Sequence, residues 1–325
     1  MKAIMRDRFG VDALEFRDTA MPEIGDDQVL VKIRASSVNP IEFYEVYAPP
    51  FMRLVGGQLR RPKGAGIGTD FAGTVETVGA NVHDFVPGDD VFGTTPASWA
   101  EHGAANAIRI ARKPPTLSFG DAAAMPIAAL TALQAVRDVG KVEPGQRVLV
   151  NGASGGVGTY AIQLAKASGA DVTAVCSTRN VEQARALGAD RVVDYKSEDF
   201  TRLDIRHDVM LDIAGSRPLS ACRRVLTADG LVVVVGAKMS TSMLGPLKHI
   251  AGTWVQSIGR RQKAKFFVTK VNADDLAFLA KLVGDGKLRS VIDRRFTLGE
   301  APDAVRYLAE GHARGKVVID VERAA

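Results

Sequence analysis

Val148-Leu-Val-Asn-Gly152-Ala-Ser-Gly155-Gly156-Val-Gly158-Thr-Tyr-Ala-Ile-Gln-Leu-Ala-Lys166 is the stretch that decides the fold. An apolar run, Arg147–Asn151, enters glycines at 152, 155 and 158, and an amphipathic helix pattern leaves them. The run does not alternate, which implies burial on both faces, as in a parallel sheet. Glycine permits the tight turn and lets backbone approach a ligand. The free N–H groups and positive end of the following helix then suit a diphosphate. With a strand before and a helix after, the loop reads as a dinucleotide site, held by Gly152, Ser154, Gly155, Gly156, Val157 and Gly158. A rival reading stays open at this point. Gly152-Ala-Ser154-Gly-Gly156 also fits G-x-S-x-G, in which Ser154 is a nucleophile and His312 a base. A turn kept only for packing is the third reading.

Downstream the chain alternates. Gly156–Ser168 reads as helix, Asp171–Cys176 as strand, and 181–187 as helix; strands follow at 191–193 and 208–213. Arg217–Leu226 reads as helix and 231–235 as strand. This is the rhythm of a doubly wound α/β sheet. Upstream, 28–35 and 72–79 alternate at period two, the mark of half-buried strands. Residues 48–68 read as a loop rich in Pro, Gly and Arg. Residues 121–136 are helical in composition. Beyond 243 the pattern loosens: 244–259 is a helix candidate, followed by the basic run Arg260, Arg261, Lys263, Lys265. Then come a strand at 264–269, helices at 273–284 and 299–310, and a closing strand at 316–321.

An acidic residue about 20 positions after the glycine loop would bind the adenine-ribose 2′-hydroxyl. Strand 171–176 ends instead at Ser177-Thr178-Arg179-Asn180. A hydroxyl and a guanidinium suit a 2′-phosphate, so NADP(H) is expected over NAD(H). Arg179 as a plain surface residue is the bland alternative.

Composition narrows the rest. The chain has 325 residues, enough for about two domains. Hydrophobic residues make up 46%, which excludes a disordered tail protein. A net charge of +5 does not argue for nucleic acid. Two cysteines, Cys176 and Cys222, preclude a disulfide framework or a four-cysteine metal lobe. With no signal core and no 18-residue apolar run, a cytoplasmic protein with no membrane span is expected.

The chain resembles the medium-chain dehydrogenase/reductase superfamily, in particular its zinc-free quinone oxidoreductase (zeta-crystallin-like) branch. The likeness rests on the glycine loop and on Ala35-Ser-Ser-Val-Asn-Pro40, Gly68-Thr-Asp-Phe-Ala-Gly73, Pro87-Gly-Asp-Asp-Val91, and Ala129-Leu-Thr-Ala132. Later come Ala186-Leu-Gly-Ala-Asp190, Val193-Asp-Tyr195 and Gly315-Lys-Val-Val-Ile319. The resemblance implies a GroES-like β-rich catalytic domain from both chain ends, 1–122 and 271–325, and a Rossmann NADP-binding domain at 123–270. It implies a homodimer. It also implies diphosphate contacts at Gly155, Gly156 and Val157, with Ser177, Arg179 and Tyr195 around the adenosine phosphate. Thr131 falls at the nicotinamide amide, Gly236 and Ala237 beside the nicotinamide end, and Lys316 near the diphosphate.

Zinc-dependent relatives carry Cys near Ser37 and Gly-His-Glu where this chain has Gly68-Thr69-Asp70. Asp70 alone does not supply the three ligands of a catalytic zinc, and the five histidines show no ligand spacing, so no metal is expected. Without a Lewis acid, acceptors that take hydride readily remain: quinones and α,β-unsaturated carbonyls. Candidate catalytic groups are Asn39 and Tyr44, in Asn39-Pro-Ile-Glu42-Phe-Tyr44, where the branch has Asn-x-x-Asp-x-Tyr. Tyr44 reads equally as a proton donor or a pocket wall, and Tyr47 is a weaker candidate. Phe266 and Phe267 close the nicotinamide side or pack a strand. An NADPH-dependent quinone or enone reductase is the leading function. A zinc-free alcohol or carbonyl dehydrogenase and an NADPH-binding regulator with little turnover are the alternatives.

Overall fold

The computed structural model describes residues 1–48, 62, 64–236 and 261–322. The chain divides into two compact units, one of residues 1–130 with 271–325, the other of residues 131–270. The first crossing falls inside the helix Pro126–Leu133, beyond the composition change near residue 121.

The first unit is built on a seven-stranded sheet. Its path runs Ile292–Thr297, Lys316–Asp320, Gln28–Val38, Asp70–Val78, Asp90–Thr94, Ile110–Arg112, and His102–Asn106 also pairs with Gln28–Val38. The last strand therefore lies inside the sheet, antiparallel to Gln28–Val38, with Val317 opposite Val38. Gln28–Val38 alternates buried and half-buried residues as far as Arg34, then is buried throughout. Val29, Val31, Ile33, Phe71, Val75, Val91 and Ile110 form one core cluster. A second gathers Ile4, Val46, Trp99, Leu298, Val305 and Ile319. A small ribbon, Lys2–Met5 with Glu15–Asp18, completes the β structure.

Several elements depart from the sequence expectation. Helix Pro40–Tyr47 follows Val38 at once; Asn39 is its N-cap and Pro40 its first residue, a position proline tolerates because that N–H has no partner anyway. The stretch expected as one helix from 121 to 136 is broken into Phe119–Ala123, Pro126–Leu133 and a π turn at Gln134–Val139. Pro126 is the cause, since it cannot donate to the preceding turn. The helix expected from Arg217 starts only after Pro218 and is short, Leu219–Cys222. The following strand starts earlier than expected, at Leu226, and runs to Val234.

The second unit holds a six-stranded parallel sheet in the order Arg191–Asp194, Asp171–Cys176, Arg147–Asn151, His207–Asp212, Leu226–Val234, Lys263–Phe266. Counted in chain order this is 3-2-1-4-5-6, the doubly wound dinucleotide-binding arrangement. The order reverses between Arg147–Asn151 and His207–Asp212. His207 is fully buried, its ring nitrogens 3.1 Å from the Val225 carbonyl and 3.1 Å from the Thr173 hydroxyl. Burial holds its pKa below the usual value, so it bridges strands as a neutral ring.

Candidate active site

In the second unit the glycine loop leaves the first strand where the strand order reverses, the place at which open α/β sheets take ligands. Gly152 has φ +90°, and a Cβ there would lie 3.0 Å from the Ala214 nitrogen. Asn151 fastens the two strand ends together, its amide donating to Asp212 (2.7 Å) and Ser216 (3.2 Å). Helix Gly156–Ala167 begins at Gly156; its N-cap is Gly155 in extended conformation with no side-chain cap. The first-turn N–H groups of Gly156, Val157 and Gly158 therefore point outward, as anion binding at a helix start requires. Gly158 serves a different purpose. A Cβ there would lie 2.2 Å from the Gly152 carbonyl oxygen and 2.7 Å from the Ala153 carbonyl carbon. At Gly155 a Cβ would meet only the Gly152 oxygen, at 3.8 Å. The loop thus has one glycine for closure and one that leaves space in front of the helix, which fits a diphosphate. Ser154 is half-buried in the same turn.

At the ends of the second and third strands, Ser177, Arg179 and Tyr195 come to one edge of the sheet. Ser177 Oγ accepts from Asn180 (3.1 Å), and the half-exposed Tyr195 ring carries Lys196 Nζ 5.5 Å from its centroid. Sequence reading over 177–180 missed the acid that arrives from the next strand, Asp194. The Thr178 hydroxyl and the Lys196 N–H hold its carboxyl below the usual range. Thr131 is buried, with its hydroxyl 2.7 Å from that of Thr269. Gly236 donates its N–H to the Asp212 carbonyl (3.2 Å), while Ala237 lies outside the described residues. Phe266 ends the sixth strand and is half-exposed, so it does not pack that strand into the core. Both thiols are buried and unpaired; burial pushes Cys176 up to about 11 and Cys222 to about 12, which leaves them inert.

In the first unit a buried polar cluster gathers on Asp70, the first residue of strand Asp70–Val78. Its Oδ2 accepts from Ser37 Oγ (2.9 Å) and Asn39 Nδ2 (3.0 Å) and lies 3.5 Å from Lys316 Nζ; its Oδ1 accepts from the Ile127 N–H (3.0 Å). That N–H is one the break at Pro126 leaves at the start of a helix, so the positive helix end faces a carboxylate. Lys316 is 3% exposed, and its amine also donates to Asn39 Oδ1 and the Val38 carbonyl. The three donors of the ammonium are thus engaged inside the first unit. Asn39 is likewise committed, donating to Asp70 and accepting from Lys316, with its N–H on Glu42 Oε2 (2.7 Å). It holds the start of helix Pro40–Tyr47. Tyr44 is half-buried on that helix, edge-on to Phe43 with centroids 5.4 Å apart.

Glu42 has no exposed surface. Burial first, and the Asp70 charge second, push its carboxyl up to about 8; the Thr69 hydroxyl, the Asn39 N–H and Lys316 oppose the rise. Burial also holds the Lys316 amine below its ordinary value, against the pull of Asp70 and Glu42. Near neutral pH Glu42 is therefore a neutral acid, and it lies beside the Lys316–Asp70 contact. Its donor set does not fit a zinc ion, since it offers one carboxylate, already saturated by hydrogen bonds and an ammonium, and neither thiolate nor imidazole. Among the described residues no three His, Cys, Asp or Glu side chains gather to hold a metal, and no helix is long and apolar enough to cross a membrane.

Sheet order and glycine loop together define a doubly wound unit of the dinucleotide-binding type. Residues 25–181 match the family described as alcohol dehydrogenase GroES-like domain, and residues 187–319 that described as zinc-binding dehydrogenase. The chain is 30% identical to the quinone-oxidoreductase QR1, chloroplastic, of Triphysaria versicolor, over 98% of each chain. It is 34% identical to the 2-methylene-furan-3-one reductase of Solanum lycopersicum, over 98% of this chain and 79% of that one. A solved quinone oxidoreductase from Coxiella burnetii superposes with a TM-score of 0.84 at 34% identity, over 99% of both chains. The chain belongs to the medium-chain dehydrogenase/reductase superfamily, in its quinone oxidoreductase branch, and is an NAD(P)-dependent oxidoreductase.

Three measurements test this geometry. Gly155→Ala weakens nucleotide binding with little change in Tm, whereas Gly158→Ala destabilises the protein by about 1–3 kcal/mol or more through backbone overlap; equal effects would contradict the division of labour. Lys316→Met, leaving Asp70 buried and uncompensated, costs about 3–5 kcal/mol in denaturant unfolding, and adding Asp70→Asn recovers part of it. Glu42 holds its proton in the folded state up to about 8 against an ordinary value of 4.5. Its contribution to stability is thus complete below the ordinary value and is lost as pH rises to about 8. The unfolding free energy of wild type relative to Glu42→Gln, measured by urea titration, should fall between pH 5 and pH 8 by on the order of a few kcal/mol.

Proposed function

We propose that this protein is an NADPH-dependent reductase that passes hydride to a quinone or an α,β-unsaturated carbonyl without zinc. The observation that carries the reading is the Lys316–Asp70 pair. An acid that would serve as a metal ligand is neutralised by an ammonium and three hydrogen bonds. No strong Lewis acid then polarises an isolated carbonyl, so the acceptor must delocalise the arriving charge itself. Quinones and enones do so, because hydride added at carbon sends the negative charge to oxygen.

When bound, NADPH supplies the hydride. The chain's own contributions are orientation and a proton. The uncapped helix start at Gly156 and the open face of Gly155 suit the diphosphate. Arg179, with Lys196 and Ser177 nearby, suits a 2′-phosphate, and the engaged oxygens of Asp194 reduce its competition for a ribose hydroxyl. The Tyr44 phenol holds a proton that can be donated to the developing enolate oxygen. Two buried, unpaired thiols suit a reducing, cytoplasmic setting, and a homodimer belongs to the same reading by family resemblance.

NADPH oxidation against a panel of quinones, enones and simple ketones tests the proposal. Quinones and enones should be reduced and simple ketones not, in the presence of chelator. Tyr44→Phe should lower kcat roughly 10- to 100-fold with less change in KM. Arg179→Ala should weaken NADPH binding about tenfold and leave NADH binding little changed. Equal wild-type affinities for the two nucleotides would overturn the cofactor choice. Tight NADPH binding without turnover on any acceptor would favour a nucleotide-binding regulator instead.

A further inference from the structure

A cavity of about 360 Å³ opens in the first unit, lined by Gly66–Thr69, Thr94–Ala97, Arg6, Glu45 and Arg109 among others. Its chemistry is unlike the apolar pocket expected for a neutral enone. Arg6 follows the first strand and is only 6% exposed. Its Nη1 donates to the Glu45 carbonyl oxygen (2.6 Å), and its Nη2 is 3.8 Å from the Glu45 carboxylate. Its Nε is buried with no hydrogen-bond partner. One carbonyl and one distant carboxylate are weak compensation for a buried cation. Burial lowers the Arg6 pKa and raises that of Glu45, the response of a pair too loosely coupled to offset its desolvation.

Other observations point the same way. Arg109, in the turn Ala107–Arg109, adds a second guanidinium to the same wall, exposed and in no ion pair with a described residue. Thr69, Thr94 and Thr95 add hydroxyls, and Thr94 Oγ1 is buried with no hydrogen-bond partner. Two planar forks with adjacent hydroxyls match a carboxylate, which guanidinium binds in bidentate fashion.

We propose that this pocket binds a carboxylate carried by the hydride acceptor, so that the preferred substrates are acidic enones or quinones. The assignment deepens the reductase reading and rests on it for the identity of the ligand. Thr69 joins the pocket wall to Glu42 and Asp70, so an acceptor anchored there lies against the polar cluster.

The test has two arms on the full chain. In the first, benzoate and methyl benzoate are titrated calorimetrically without nucleotide. Benzoate should bind at least tenfold more tightly than the ester, and Arg109→Met and Arg6→Met should each erase the difference. Arg109 is on the exposed rim, so that variant serves if Arg6→Met fails to fold. Equal binding of acid and ester, or no binding of either, overturns the pocket. In the second arm, 4-oxopent-2-enoate and its methyl ester are compared as acceptors with NADPH. The acid should be preferred at least tenfold in kcat/KM, and the ratio should fall towards one in Arg109→Met. Reduction of both at equal kcat/KM overturns the proposal while the reductase reading stands. Benzoate discrimination without turnover of any acceptor sinks the reductase reading, and with it the assignment of the carboxylate to a hydride acceptor.

Discussion

A single buried carboxylate organises the first unit. Asp70 draws hydrogen bonds from the end of a sheet strand through Ser37, from a helix cap through Asn39 and from a helix start through Ile127, with the ammonium of the last strand beside it. Each donor comes from a different segment, so none of the four can shift without leaving charge unpaired in a medium that punishes it. Glu42 can share this space only because it keeps its proton. Two buried carboxylates with one ammonium between them would not balance, and the rise of the Glu42 pKa is the cluster's way of staying neutral.

The second unit uses a buried acid for a related purpose. Asp212, at the end of the fourth strand, accepts from Asn151 at the end of the first and from the Gly215 N–H. The crevice where the strand order reverses is thereby fixed in width before any ligand arrives. Rigid backbone on both sides lets the glycine loop carry open N–H groups without collapsing onto them. Gly158 adds the complementary constraint from the helix side, since its lack of a side chain sets how closely the helix start approaches the turn.

Where the physics is local, the sequence was readable. Arg147–Asn151 was recognisable as a buried strand because it is apolar throughout, and the helix after it because glycine ends where periodicity begins. The closing strand was equally plain in Lys-Val-Val-Ile. Other elements left no such trace. His102–Asn106 consists largely of small residues and owes its strand to pairing with Gln28–Val38. Ile292–Thr297 is an edge strand full of charge, paired on one side only, with Lys316–Asp320, so no alternation of apolar and polar residues marks it. The cluster on Asp70 was legible only as separate motifs. Asn39, Asp70 and Lys316 stood out individually, yet nothing in their spacing announces that residues 246 positions apart meet. The hydrogen bonds that Lys316 makes to Val38, Asn39 and Asp70 left no local signal for that reason.

The placement of Lys316–Asp320 inside the first sheet has a consequence for biosynthesis. During translation, the Ala35–Val38 end of the strand Gln28–Val38 has to wait on one side until more than 200 further residues have left the ribosome, whereas Gln28–Lys32 finds His102–Asn106 early. The nucleotide-binding unit, continuous in sequence and rich in near-neighbour βαβ pairings, is free to form in that interval. The parallel-sheet unit can therefore be complete before the first unit is. The first unit is completed by a stitch made long after the strand it joins, which makes loss of Lys316–Asp320 far more damaging than the loss of a few surface residues would suggest.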